Sequence, residues 1–173
     1  KYFDLFQASM DNNEKWSTPT NFPGPANSEY SDGAASFDAT GKVMYFTTCP
    51  SDKEKDTQCK IMMTTMADGK WGDAVMLPFN SETYTCGHPC LSPDGKLLFF
   101  ASDMPGGSGG KDIWVSAWDG SFWGTPTNVG TGVNSEGDEM FPTMGKNGRL
   151  YFASNGKPGM GGLDMMYSTN EGG

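Results

Sequence analysis

The stretch SPDGKLLFFAS, residues 92–102, joins a tight turn to a strand that is apolar along its whole length. Asp94 can hydrogen-bond the turn backbone, and Gly95 suits a turn position where φ is positive. Aromatic and aliphatic residues side by side over five or six positions indicate a strand buried on both faces. The stretch therefore predicts a β-turn followed by a central strand.

The same turn and strand occur twice more in the chain. Turns with a glycine in the same place stand at 38–42 (DATGK) and 145–149 (GKNGR), and apolar runs follow at 43–48 (VMYFTT) and 150–154 (LYFAS). A fixed period of this length is typical of repeat architectures. The chain is therefore a tandem array of one structural unit.

Further strands are expected on both sides of each central strand. Tryptophans that recur roughly every fifty residues start the last strand of each unit. The tryptophans are Trp16, Trp71 and Trp123. First strands are expected near 34–37, 88–91 and 140–144, and third strands at 4–9, 60–66, 112–117 and 164–169. Four strands joined by tight turns are what one β-propeller blade needs.

We therefore predict an all-β fold of β-propeller blades, each a four-stranded antiparallel sheet. Residues 1–29 end one blade, residues 30–82 and 83–134 form two blades, and residues 135–173 form an incomplete one. Natural propellers use about four to eight blades. The predicted blades therefore belong to a larger propeller, completed by further chain or by self-association into a ring.

Composition argues against several classes of function. The 173 residues carry a formal net charge of −9, which would repel nucleic acid. No run of about eighteen apolar residues predicts a membrane span, and the N-terminus does not resemble a signal peptide. Any export signal or lipid anchor is expected upstream of residue 1.

Four cysteines allow three disulfide connectivities, and free buried thiols or a metal site are the alternatives. Cys49 ends a predicted second strand and Cys59 begins the third, so a disulfide between them would clip the loop at 51–58. Cys86 and Cys90 flank the start of a first strand, where a second disulfide would clamp the turn. Both disulfides would fit an oxidising compartment.

At these motifs the sequence resembles the WD40-like repeats of TolB-type propellers, whose Ser-Pro-Asp-Gly-Lys stands at 92–96. It is more specifically similar to OmpA-family envelope proteins of Bacteroidota, whose Gly-Gly-x-Asp element stands at 109–112 and 161–164. The resemblance implies a scaffold in the periplasm or at the outer membrane, bound to other envelope or secretion-system proteins, including those of type IX secretion.

No catalytic, cofactor or metal site is predicted. Asp32, Asp138 and Glu139 precede first strands, where a glycosidase would need paired carboxylates, but the middle repeat has Cys86 and His88 there. Asp112 and Asp164 come directly before strands, and we expect them to accept backbone N–H groups from the glycine-rich loops rather than to bind Ca²⁺.

We predict a non-catalytic protein-binding function, with carbohydrate or peptidoglycan-fragment binding as the alternative. Trp114 and Trp118 lack counterparts in the other repeats and are the candidates for partner contact. Stacking faces for a sugar would come from the repeated tryptophans, Trp118 and Tyr84. Blade packing accounts for the repeated tryptophans and for most of the 12 methionines.

Overall fold

The computed structural model describes residues 2–50 and 58–169. Those residues form short strands, with no helix and hence none that could cross a membrane, so the all-β prediction is confirmed. The strands are β1 (Phe6–Gln7), β2 (Thr20–Asn21), β3 (Ser31–Phe37), β4 (Val43–Cys49), β5 (Lys60–Ala67), β6 (Lys70–Trp71), β7 (Val75–Met76), β8 (Cys86–Leu91), β9 (Leu97–Ser102), β10 (Asp112–Ala117), β11 (Thr127–Asn128), β12 (Glu139–Met144), β13 (Arg149–Ser154) and β14 (Asp164–Thr169).

The strands pair into four antiparallel sheets that follow one another along the chain. The first sheet contains β1 and β2, the second β3 to β7, the third β8 to β11, and the fourth β12 to β14. Each sheet lies within one predicted repeat, and each strand pairs with its neighbour in sequence, except that β7 returns to β5. Tight turns produce this meander, as at Gly95, which has a φ of 73°.

The sheets pack face to face around equivalent side chains. Phe46, Phe100 and Phe152 occupy the same place on the second strand of three successive sheets, and all are fully buried. Each contributes roughly 1.5 to 3 kcal/mol by leaving water. The first strands β3, β8 and β12 lie next to one another, so the second, third and fourth sheets meet along their first strands.

A β-bulge interrupts each of these first strands. Pairing with the second strand shifts between Gly33 and Ala35, and again at the matching places in β8 and β12. At each bulge a non-glycine residue has positive φ: 46° at Ala34, 54° at His88 and 56° at Phe141. The first strands therefore begin earlier than predicted and include an extra residue that sequence periodicity does not reveal.

One of the two predicted disulfides is wrong, because Cys86 and Cys90 both lie in the extended strand β8, four residues apart and beyond the reach of a disulfide. Cys49 and Cys59 form the expected disulfide at the open end of the β4–β5 hairpin, although residues 51–57 of the loop lie outside the described residues. Cys86 and Cys90 are free and buried. Because the extra residue reverses the alternation of side chains, Cys86 packs against the second sheet and Cys90 against the fourth.

Candidate functional site

The acidic residues that a glycosidase would need are engaged in hydrogen bonds within the fold. Asp32 and Glu139 occupy equivalent positions at the starts of β3 and β12, and both are fully buried. Asp32 accepts hydrogen bonds from the N–H and hydroxyl of Ser28, at 2.6 and 2.7 Å. Glu139 accepts the matching pair from Ser135 and a third from Ser154. Buried carboxylates held by donors in this way stabilise the turn before each first strand.

The equivalent position in the third sheet holds Cys86. Burial raises the pKa of this thiol to about 11, so the thiolate that would act as a nucleophile is not formed at neutral pH. Burial also raises the pKa of Cys90, whose sulfur accepts the Met144 N–H at 3.1 Å. Neither cysteine is placed for nucleophilic chemistry.

Asp138, the third candidate carboxylate, links two loops. Its Oδ1 accepts the backbone N–H of Lys111 at 2.9 Å, and its own N–H donates to Oδ1 of Asn155 at 2.6 Å. The side chain is therefore engaged with the glycine-rich loop before β10. Its Oδ2 accepts a hydrogen bond from Nδ2 of Asn155 at 3.3 Å.

His88 lies at the bulge of β8, stacked on Phe141 from the next bulge. The ring centroids are 4.0 Å apart, with an interplanar angle of 20°. The backbone N–H of His88 donates to the hydroxyl of Thr47 at 2.9 Å, while its Nδ1 is buried and has no partner among the residues described. Burial, and then the charge of Lys111, lower the pKa of His88, so the neutral imidazole is favoured.

The two predicted aspartate latches are confirmed. Oδ2 of Asp112 accepts the N–H groups of Ser108 and Gly109, and Oδ2 of Asp164 accepts that of Gly161. The loops approach so closely that a Cβ at position 107 or 159 would collide with these carboxylates, which explains the glycines there. Burial raises the pKa of Asp112, with Glu139 as a further cause. Residues 2–50 and 58–169 contain no cluster of potential metal ligands.

A second latch repeats three times and was missed by sequence analysis. The carboxamide of Asn134 accepts the Ile113 N–H at 2.8 Å and donates to the Ile113 carbonyl at 2.9 Å. Asn27 makes the same pair of bonds to Leu5, directly before β1, and Asn80 makes it to Ile61 in β5. The repeated tripeptide Asn-Ser-Glu at 27–29, 80–82 and 134–136 was the signal that could have revealed it.

The predicted partner contacts divide into one buried and one exposed residue. Trp114 is 6% exposed, packs between the second and third sheets, and donates its Nε1 proton to the Ser102 carbonyl, so its assignment as a contact residue is wrong. Trp118 is 38% exposed and lies in the outermost hairpin of the third sheet. Phe122, which sequence analysis did not select, is 74% exposed in the same hairpin.

The other side chains proposed for sugar stacking do not form one surface. Trp123 is buried, Trp71 is half-buried against Phe22 and Phe37, and the Tyr84 hydroxyl donates to the Phe79 carbonyl. These contacts are the sheet packing expected for the repeated tryptophans. Trp16 is 67% exposed, so the prediction that blade packing accounts for the repeated tryptophans is wrong for this residue, because no described sheet packs against its side of the first sheet.

Comparison with known proteins gives few matches. No protein-family model and no curated protein matches the chain. Eleven chains of solved structures match, among them one from a structural and mechanistic study of two prolyl endopeptidases. That match has 15% sequence identity and a TM-score of 0.44, and it covers 98% of this chain. It covers 26% of the peptidase chain, so this chain spans about a quarter of that length.

Proposed function

We propose that this chain forms blades of a β-propeller and acts as a non-catalytic protein-binding module. The proposal is supported by the four sheets in chain order, the adjacent first strands β3, β8 and β12, and the equivalent interfaces between sheets. The repeated residues form the interfaces between sheets. We therefore assign partner binding to exposed residues that do not repeat.

The observation that carries the binding function is the exposed aromatic hairpin of residues 117–123. Trp118 rests on the buried Trp123 with ring centroids 5.3 Å apart, and Phe122 projects into solvent at 74% exposure. Asp119 caps the turn by accepting the N–H groups of Ser121 and Phe122, both at 2.7 Å. An exposed hairpin that presents Trp and Phe is typical of a protein-interface hot spot, where aromatic anchors contribute most.

The buried acids argue for this function over glycoside hydrolysis. A glycosidase needs two carboxylates that flank a sugar, one of them free to give up a proton. Instead, Oδ2 of Asp32 and both carboxylate oxygens of Glu139 accept hydrogen bonds from serines inside the fold. Replacing Glu139 by Gln is therefore expected to destabilise the fold rather than to remove an activity.

The Cys49–Cys59 disulfide indicates an oxidising, exported environment. From the resemblance to OmpA-family envelope proteins we place the module in the periplasm or at the outer membrane, with other envelope or secretion-system proteins as partners. The net charge of −9 favours partners that present a basic rim around an apolar pocket.

Photo-crosslinking tests the proposal directly. A benzophenone amino acid at position 122, expressed in the envelope of the native host, should capture a defined protein, whereas the same probe at exposed position 40 on another turn should not. Binding of the purified partner should weaken at least tenfold with Trp118→Ala, which is the scale of a hot spot. Equal binding by Trp118→Ala, or glycan-array binding lost with that variant, would refute the proposed protein-binding function.

A further inference from the structure

The free thiol of Cys86 lies beside the Cys49–Cys59 disulfide, in the interface between the second and third sheets. The backbone N–H of Cys86 donates to the carbonyl of Cys59 at 2.9 Å. One residue earlier on each side, the hydroxyl of Thr85 donates to Oε1 of Gln58 at 2.7 Å. Two adjacent pairs of hydrogen-bonded residues therefore hold the start of β8 against the residues directly before β5.

The same backbone hydrogen bond joins the sheets at each of the three described interfaces. The N–H of Asp32 donates to the Phe3 carbonyl at 2.8 Å, and that of Glu139 donates to the Lys111 carbonyl at 2.6 Å. Cys86 stands where the other two junctions have a carboxylic acid. Among the junctions that the structure describes, the middle one alone has cysteine on both sides.

The disulfide and the thiol lie on the facing sides of this interface. Alternation along β4 puts Cys49 on the same face as Thr47, whose hydroxyl accepts a backbone N–H from β8 at 2.9 Å. Alternation along β5, extended back by one residue, puts Cys59 on the face of Ile61. Ile61 packs in one core cluster with Cys86. The three sulfur-bearing side chains therefore belong to the same interface.

The backbone at this junction has the spacing that a disulfide needs. A backbone hydrogen bond of 2.9 Å keeps the Cα atoms of its two residues roughly 5 to 6 Å apart, since only the N–Cα, C=O and Cα–C bonds separate them from it. A disulfide joins residues whose Cα atoms lie about 4.4 to 6.8 Å apart. Cys59 is therefore within reach of two cysteines, Cys49 in its own sheet and Cys86 in the next.

We propose that Cys59 exchanges disulfide partners, so that its bond moves from Cys49 within the second sheet to Cys86 in the third. The Cys86 thiolate attacks Sγ of Cys59, the bond between Cys59 and Cys49 breaks, and the Cys49 sulfur leaves as a thiolate. Cys49 takes up the proton that Cys86 released. The numbers of disulfides and thiols do not change, and no oxidant or reductant is consumed.

Burial sets the condition for this exchange. The Cys86 sulfur contacts Oγ of Ser102 at 3.6 Å, and burial raises the pKa of the thiol to about 11. In the closed interface at neutral pH it is therefore an unreactive thiol. Exchange follows local opening of the junction with Cys59, which lets the side chain leave Ser102 and ionise in water. The exchange thus responds to loosening of the interface, and the new bond prevents the two sheets from separating.

The exchanged bond also closes a longer loop than the present one. It joins residues 27 apart (86 − 59), whereas Cys49 and Cys59 are 10 apart. A longer closed loop removes more conformational entropy from the unfolded chain. The cysteines are separate from the hairpin of residues 117–123, so the proposal does not rest on the proposed function.

Whole-chain variants test whether the exchanged bond forms in the folded protein. Cys49→Ser leaves Cys59 with Cys86 as its neighbour, and oxidised glutathione should join the two, each new disulfide releasing two molecules of reduced glutathione. Peptide mapping identifies the bond, and the oxidised variant should unfold at a higher temperature than the same variant reduced. In the matched variant Cys59→Ser, Cys49 and Cys86 should remain unjoined, because the backbone junction includes position 59 and not position 49.

The parent protein tests the exchange itself. Held at neutral pH without a thiol reagent, in urea below its unfolding transition, and then quenched with acid, it should accumulate Cys59–Cys86 with a free Cys49. Without urea it should keep Cys49–Cys59. Because the parent has all four cysteines, its result decides the question even if Cys49→Ser fails to fold.

Four results would overturn the proposal. In Cys49→Ser they are glutathione retained on Cys59 and a bond from Cys59 to Cys90. In Cys59→Ser it is a bond between Cys49 and Cys86. In the loosened parent it is Cys49–Cys59 as the sole disulfide.

Discussion

The sulfur of Cys90 accepts a hydrogen bond from the backbone N–H of Met144, across the interface between the third and fourth sheets. One interface earlier, the hydroxyl of Ser36 accepts the N–H of Leu91 at 2.9 Å in the same geometry. The pairing registers place Cys90 and Ser36 at the same repeat position. The thiol is therefore an acceptor that joins sheets, a role that a disulfide with Cys86 would remove.

This equivalence predicts how substitutions at Cys90 behave. Cys90→Ser keeps an acceptor of the kind found at Ser36, so its free energy of unfolding should stay within about 1 kcal/mol of the parent. Cys90→Ala leaves the Met144 N–H without an acceptor and should cost about 1 to 3 kcal/mol. Urea unfolding measures both. Equal losses for the two variants would show that the sulfur acts only by filling space.

Each chain should contain two free thiols, rather than none or four. In native protein Cys86 and Cys90 should not react with a thiol reagent, because both are buried and burial raises the pKa of each. In denaturant without reductant, two thiols should react, and peptide mapping should find Cys49 joined to Cys59. A Cys86–Cys90 peptide, or no reactive thiol in denaturant, would contradict the structure.

The asparagine latch should be needed for stability. Asn134→Asp keeps the acceptor for the Ile113 N–H but loses the donor for its carbonyl, and it buries a carboxylate. We expect a loss of about 1 to 3 kcal/mol in the free energy of unfolding. Asn12→Asp, the same change at an exposed turn, serves as the control. A loss no larger than that of the control would exclude a latch function.

The environment of His88 predicts a dependence of stability on pH. Its pKa in the folded protein lies below the unfolded value, which is about 6.5, so the folded state favours neutral imidazole. As the pH falls through and below that unfolded value, the unfolded chain takes up a proton more readily, and the free energy of unfolding declines.

The neutral variant His88→Gln should show a smaller decline between about pH 7 and pH 5. Thermal unfolding of both proteins over that range measures the difference. Parallel curves for the parent and the variant would show that His88 is protonated as easily in the folded state as in the unfolded one.

The repeat, the strands and the all-β class could be predicted because their signals are local. Gly95 and its counterparts mark turns, and apolar runs such as 97–102 mark buried strands. The predictions that failed depended on which face of its sheet a side chain occupies. The third sheet is covered on both faces, so Trp114 and Val115 are both apolar. The alternation of polar and apolar residues therefore does not show that Trp114 points between the second and third sheets.

The bulges were hidden for a related reason. A single residue with positive φ reverses the faces of all residues that follow it in the strand, and His88 and Phe141 are not residue types that favour this conformation. Sequence analysis therefore placed Cys86 before the first strand, with a turn between the two cysteines, whereas both lie within β8 and pack into different interfaces. Comparing the two cysteines with Asp32 and Ser36 in the preceding repeat was the available clue.

The central claim is that successive sheets pack through equivalent interfaces, and two nuclear Overhauser contacts test it most directly. In isotope-labelled protein, the amide proton of Leu91 should show a contact to the β-protons of Ser36, and that of Met144 a contact to the β-protons of Cys90. Observing both would establish the same packing at two successive interfaces. If either amide instead shows contacts to a strand of a non-adjacent repeat, the account of stacked equivalent sheets is wrong.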